Sequence, residues 1–135
     1  MIDTVRAPYA ALLLRVSMGI LFILHGVYLK AMVFGMAGAS GYFASLGLPG
    51  WLAWIVTFYE TIGGLMLILG VYTRWVAVLL GIHLLFAAFF GHAANGWTFV
   101  SPGGGWEYPV FWAIACFALA LLGDGAHAMR GEKSS

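Results

Sequence analysis

The chain has 135 residues, 63% of them hydrophobic and 8% charged, with a formal net charge of +1 and a mean hydropathy of +0.97. A soluble domain of this length carries about 25% charged residues, so the composition excludes a water-soluble globule and points to a bilayer. Six scattered Lys and Arg cannot build a nucleic-acid-binding surface, and a lone Cys116 can form neither an internal disulfide nor a CxxC pair.

Four apolar segments stand out, at about 9–33, 51–70, 75–94 and 107–123, each near the roughly 20 residues a helix needs to cross the hydrocarbon. They predict an all-α, four-transmembrane-helix bundle forming a single membrane domain over 1–135. The first segment follows Arg6 as a signal peptide would, but it is too long and Arg15 interrupts it, so it reads as a retained span. After it, the stretch from Gly35 to Pro49 mixes glycines with Tyr42, Phe43, Leu46 and Leu48, which predicts a short interfacial element between helices 1 and 2. The second span carries Glu60 near its middle and the third carries His83 and His92. Three consecutive glycines and two tryptophans then make a loop from Asn95 to Trp106 that can fold back over the bundle mouth. The short fourth span opens at Glu107, a charge suited to the positive end of a helix dipole, with Cys116 on the opposite face.

Orientation follows from the basic residues. Arg6, Arg15, Arg74, Arg130 and Lys133 fall at or toward one side of the four spans and Lys30 alone at the other, which predicts both termini in the cytoplasm.

Helical periodicity selects the inner faces. On the first span Arg15, Gly19, Phe22 and Gly26 form one stripe, flanked by His25 and Lys30; on the second, Ala53, Thr57, Glu60, Gly63 and Gly64 form another. A carboxylate at the centre of a lone helix in lipid costs roughly 2.5 to 3.5 kcal/mol, so Glu60 must be paired, neutralised or wetted. Its depth predicts contact with Arg15 from the cytoplasmic side and with His25 from above, a polar column whose floor is Arg15. On the third span His83 and His92 are about half a turn out of phase, so His92 is placed inward and His83 is left without an assigned face.

Taken together, Leu14-Arg15 with Gly19, Leu24-His25-Gly26 with Lys30, Leu46-Gly47-Leu48-Pro49, Glu60 followed by Gly63-Gly64, Gly70, Thr73-Arg74, His92 with Asn95-Gly96, and Gly105-Trp106-Glu107-Tyr108 resemble the DoxX family of small four-helix membrane proteins. The resemblance covers almost the whole chain. It implies a bacterial or archaeal inner-membrane protein, an integral subunit of a quinone-linked redox system tied to the oxidation of thiosulfate or related sulfur compounds.

On that reading Glu60 and His25 are the candidate catalytic residues, and His25, Arg15, His92 and Glu107 the candidate cofactor-binding ones. A buried carboxylate can relay a proton, and a histidine can hydrogen-bond a quinone carbonyl. The electrons must come from elsewhere, a redox partner subunit included, because the chain carries no dinucleotide fingerprint or iron–sulfur ligand set. Other readings stay open. Arg15 and Glu60 can be a structural ion pair, and His25 and His92 interior hydrogen-bonding residues. His25, Glu60, His92 and Glu107 carry donor atoms for a haem or transition metal, but no residue is assigned as a metal ligand, since the histidines lack paired spacing. The third class is a non-catalytic scaffold or a small-solute carrier, which four short spans could build only as an oligomer.

Overall fold

The structure, a computed structural model, describes residues 1–130. Lys133, counted above among the basic residues of the cytoplasmic side, lies outside them.

Helix α1 runs over Ala7–Val33. Pro8 sits in its first turn, where a missing N–H costs nothing, and Asp3 Oδ1 accepts the backbone N–H groups of Val5 and Arg6 just before it. The last ten residues of α1, Leu24–Val33, are wound as a π-helix. Helix α2 spans Gly35–Ser45 and α3 spans Leu52–Leu69. Gly70 ends α3 with a φ of 72°, a left-handed conformation that brings its N–H to Leu67 O and the Val71 N–H to Met66 O. Helix α4 covers Thr73–Asn95 and includes a π-helical turn at Ala88–His92. Helix α5 spans Glu107–Leu122.

Among the described residues all regular structure is helical, apart from an isolated bridge between Val71 and Arg130. Three helices, α1, α3 and α4, are long and apolar enough to cross a membrane, and the 16-residue α5 is a shorter apolar helix. Among the described residues the count is five rather than four, because the element between the first two long helices is itself an 11-residue helix, α2.

The bundle is built from two close pairs, α1 with α3 and α4 with α5, while α3 and α4 touch far less. Glycine makes the first pair close: a Cβ on Gly64 would lie 2.6 Å from Gly19 O, and one on Gly19 would lie 2.6 Å from Gly64 O. With no hydrophobic drive between helices in lipid, such backbone approach is a main source of packing energy. In the second pair Gly81 receives the ring of Phe117. Phe22, Leu67, Leu80 and Leu119 fill the space between the pairs, and Ile55, Phe58, Ile62 and Leu65 on α3 point outward, where a bilayer solvates them.

Candidate functional site

Where the two pairs part, the bundle holds a cavity of about 810 Å³. The second halves of α1 and α4 and the first halves of α3 and α5 wall it, and Tyr42 and Phe43 of α2 cover one side. Most of the wall is apolar, with leucines, phenylalanines and Trp112 contributing.

The polar groups are concentrated. Glu60 is 6% exposed; its Oε2 accepts a hydrogen bond from Lys30 Nζ at 2.6 Å and its Oε1 one from His83 Nε2 at 2.9 Å. The Lys30 ammonium also donates to His25 O at 2.9 Å, so two of its three hydrogens are engaged within the protein. This is how a carboxylate at mid-membrane is tolerated: a cation and an imidazole share its two oxygens.

A second polar pair faces the same cavity. His25 Nδ1 lies 2.9 Å from Leu21 O, and the Tyr108 hydroxyl lies 2.9 Å from His25 Nε2. Trp112 backs this pair, its ring 5.0 Å from that of His25 and 4.4 Å from Phe22. His92 Nδ1 meets Gly104 O at 3.0 Å, and Asn95 Nδ2 donates to the same oxygen at 2.9 Å. Gly103 and Gly104, with φ of 81° and 76°, turn the chain so that this carbonyl points back at α4. The loop before α5 is thereby folded onto the cavity's rim.

The expected contact between Arg15 and Glu60 is not made. The Arg15 side chain is fully buried but donates to four carbonyls instead: Leu67 and Ile68 at the end of α3, and Asp124 and Ala126 in the segment after α5. Leu67 is seven residues beyond Glu60, about 10 Å along the helix, so Arg15 closes the opposite end and does not line the cavity. Two of its acceptors are carbonyls of the last turn of α3, which a guanidinium satisfies well. Glu107 sits in the first turn of α5 and is likewise outside the cavity wall. His25, Glu60 and His92 all line the cavity, but His25 bonds Leu21 and Tyr108 in place of the expected Glu60.

Two residues of the cluster, Lys30 and His83, were not assigned to it from the sequence. Lys30 stands only on the flank of the α1 stripe, and His83, in the α-wound part of α4 before its π-turn, has no face assigned by periodicity. An ideal 100° rotation per residue fails over Leu24–Val33 and Ala88–His92, where π-winding puts residues i and i+5 in register. His25 and Lys30 become neighbours, and His83 and His92 reach one cavity despite their spacing. Such π-turns occur often at functional sites.

The fold and its cavity define an integral membrane protein with a polar cluster buried among apolar helices. The sequence profile of the DoxX family matches residues 10–93, and the chain belongs to that family. It is 41% identical over 74 residues to the Bacillus subtilis (strain 168) protein named "Putative oxidoreductase CatD", a match covering 55% of this chain and about half, 53%, of that protein. It is 32% identical over 126 residues to "Inner membrane protein YphA" of Escherichia coli (strain K12), covering 88% and 86%. An "Uncharacterized protein" of Haemophilus influenzae (strain Rd) is 32% identical over 125 residues, covering 90% and 89%. No solved structure matches.

Proposed function

We propose that this chain is a four-spanning, single-domain inner-membrane subunit of a quinone-linked redox system, with α5 as the fourth span, both termini cytoplasmic, and the quinone ring bound in the cavity beside Glu60. The observation that carries this reading is the cavity itself: apolar walls, one ammonium with a hydrogen to spare, and three histidines. A quinone ring is a flat apolar body with an oxygen at each end, and such a ligand calls for apolar walls with a few fixed polar groups. The volume suits a head group with part of its tail, and α2, held to α4 by a long 3.5 Å contact between Tyr42 and Gly91 O, is the side through which a lipid-borne tail would leave.

When bound, a quinone takes up two electrons and two protons. Lys30 would orient one ring oxygen through its remaining N–H, and Glu60, backed by His83, would hold the cation in place and pass a proton along that pair. The electrons would come from a sulfur donor of the thiosulfate class or through a partner subunit. The oxidoreductase name of the Bacillus relative supports the redox class, and the Escherichia relative supports the inner membrane. Axial ligation of haem fits less well, because both ring nitrogens of His25 are already hydrogen-bonded.

The test is titration of the detergent-solubilised protein with ubiquinone-1, read by tryptophan fluorescence. Saturable quenching is expected, weakened about tenfold in Lys30→Met. Quenching that rises linearly with quinone, the same in both proteins, would show partition into micelles and overturn the reading.

A further inference from the structure

Hydrogen bonds fix which nitrogen of each histidine carries its proton. A carbonyl oxygen can only accept, so His25 Nδ1, 2.9 Å from Leu21 O, and His92 Nδ1, 3.0 Å from Gly104 O, are both N–H groups. A neutral imidazole has one N–H, which leaves the Nε2 of each as a bare acceptor. At His25 that acceptor lies 2.9 Å from the Tyr108 oxygen and accepts the hydrogen bond that its hydroxyl donates. Tyr108, half-exposed at the cavity wall, therefore presents only lone pairs to anything bound beside it.

We infer that the cavity binds a two-hydroxyl aromatic ring, the reduced quinol form, more tightly than the dicarbonyl quinone form, with the Tyr108 oxygen as the acceptor that discriminates between them. This rests on the quinone reading of the cavity. A quinol hydroxyl donates to Tyr108, and its second oxygen still accepts from Lys30; a quinone carbonyl at the same place sets lone pair against lone pair. His92 Nε2, without a hydrogen-bond partner among the described residues, is a second acceptor of the same kind.

Protonation of His25 reverses the polarity. The Nε2–H then donates to the Tyr108 oxygen and frees the phenol hydrogen to point at a carbonyl. The charged and titratable groups that share the cavity with His25 are Lys30 on its own helix, Tyr42 on α2, Glu60 on α3, His83 and His92 on α4, and Tyr108 on α5. With the histidines neutral, the Lys30 and Glu60 charges cancel, so the preference is set by the acceptors, Tyr108 first and His92 Nε2 second, and not by net charge. It should fall as His25 becomes charged.

Anaerobic titration of the wild-type protein with ubiquinol-1 and with ubiquinone-1 at neutral pH tests this. The quinol is expected to bind about 3- to 10-fold more tightly, the weight of one hydrogen bond. A tenfold preference raises the midpoint potential of the bound two-electron couple by about 30 mV. Tyr108→Phe should weaken the quinol alone and bring the two affinities together. Equal affinities, or tighter quinone, in the wild type would overturn the inference and leave the site standing. A preference that survives in Tyr108→Phe would remove Tyr108 as its cause, and failure of both forms to bind would overturn the quinone reading with it. The wild-type ratio needs no variant and stands even if Tyr108→Phe does not fold.

Discussion

Arg15 and Glu60 are both charges buried between apolar helices, and they are held in opposite ways. Around Arg15 four carbonyls from two chain segments accept its hydrogens and protein fills the remaining space. Around Glu60 two side chains alone, among the described residues, bond the carboxylate, both themselves ionisable, and the rest opens into about 810 Å³ of cavity. Backbone carbonyls cannot gain or lose a proton; Lys30 and His83 can. A buried charge in a membrane bundle is thus a structural fastening where its partners are backbone and a candidate for chemistry where its partners titrate beside open space.

Substitution can break this contrast, and the largest effect should come from the closed end. Arg15→Met removes four hydrogen bonds, and at about 1 kcal/mol each the bundle should lose on the order of 4 kcal/mol in detergent unfolding, while Arg15→Lys, with three donors, recovers part of it. A Met variant as stable as wild type would mean that water replaces the guanidinium.

Glu60→Gln should cost less, about 2 to 3 kcal/mol, the worth of a hydrogen bond to a charged group. Adding Lys30→Met should recover some of that loss, whereas adding Arg15→Gln should be strictly additive. Recovery with Arg15 instead of Lys30 would restore the ion pair that the structure does not contain.

Between the two charges, Gly64→Ala must push α1 away from α3, since its Cβ would meet Gly19 O at 2.6 Å. Overpacking of this kind costs about 1 to 3 kcal/mol, and it should disturb both charged sites together; an unchanged unfolding midpoint would mean the helices slide at no cost. The smallest effect is expected at Asp3, exposed before α1. Its carboxyl is held below the usual range chiefly by the Arg6 side chain, so it favours the folded state above the ordinary carboxylate pKa and loses that contribution as pH falls through its own lower value. Asp3→Asn should leave the unfolding midpoint near neutral pH unchanged within error.

Much of this was legible in the sequence for simple reasons. Hydrophobic runs of spanning length can only be helices in lipid, and Glu60 announced itself because a carboxylate has no cheap place in such a run. Gly63 and Gly64 marked a contact face correctly. The partner of Glu60 was not legible: a stripe drawn at 100° per residue sets Arg15 and Glu60 face to face, but it cannot register the π-winding that swings Lys30 inward or the segment after Gly123 that claims Arg15. Glu107, drawn to the site by its charge, stays at the helix terminus that its charge favours.

The four-carbonyl grip on Arg15 also has a consequence for how the chain is made. Arg15 leaves the ribosome early, on the first helix, whereas Asp124 and Ala126 emerge after every other helix has been synthesised. Until they arrive, the first span carries a cation with half of its ligands missing, and the inserted helices remain an unfinished assembly. When they arrive, Ala126 N–H bonds Pro8 O, and Met129 and Arg130 N–H bond Leu69 and Gly70 O, so the segment after α5 latches onto the first and third helices at once. The segment after α5 thereby contributes to fastening the first helix, and a nascent chain stopped at Gly123 would present the membrane's proteases with a loose first helix.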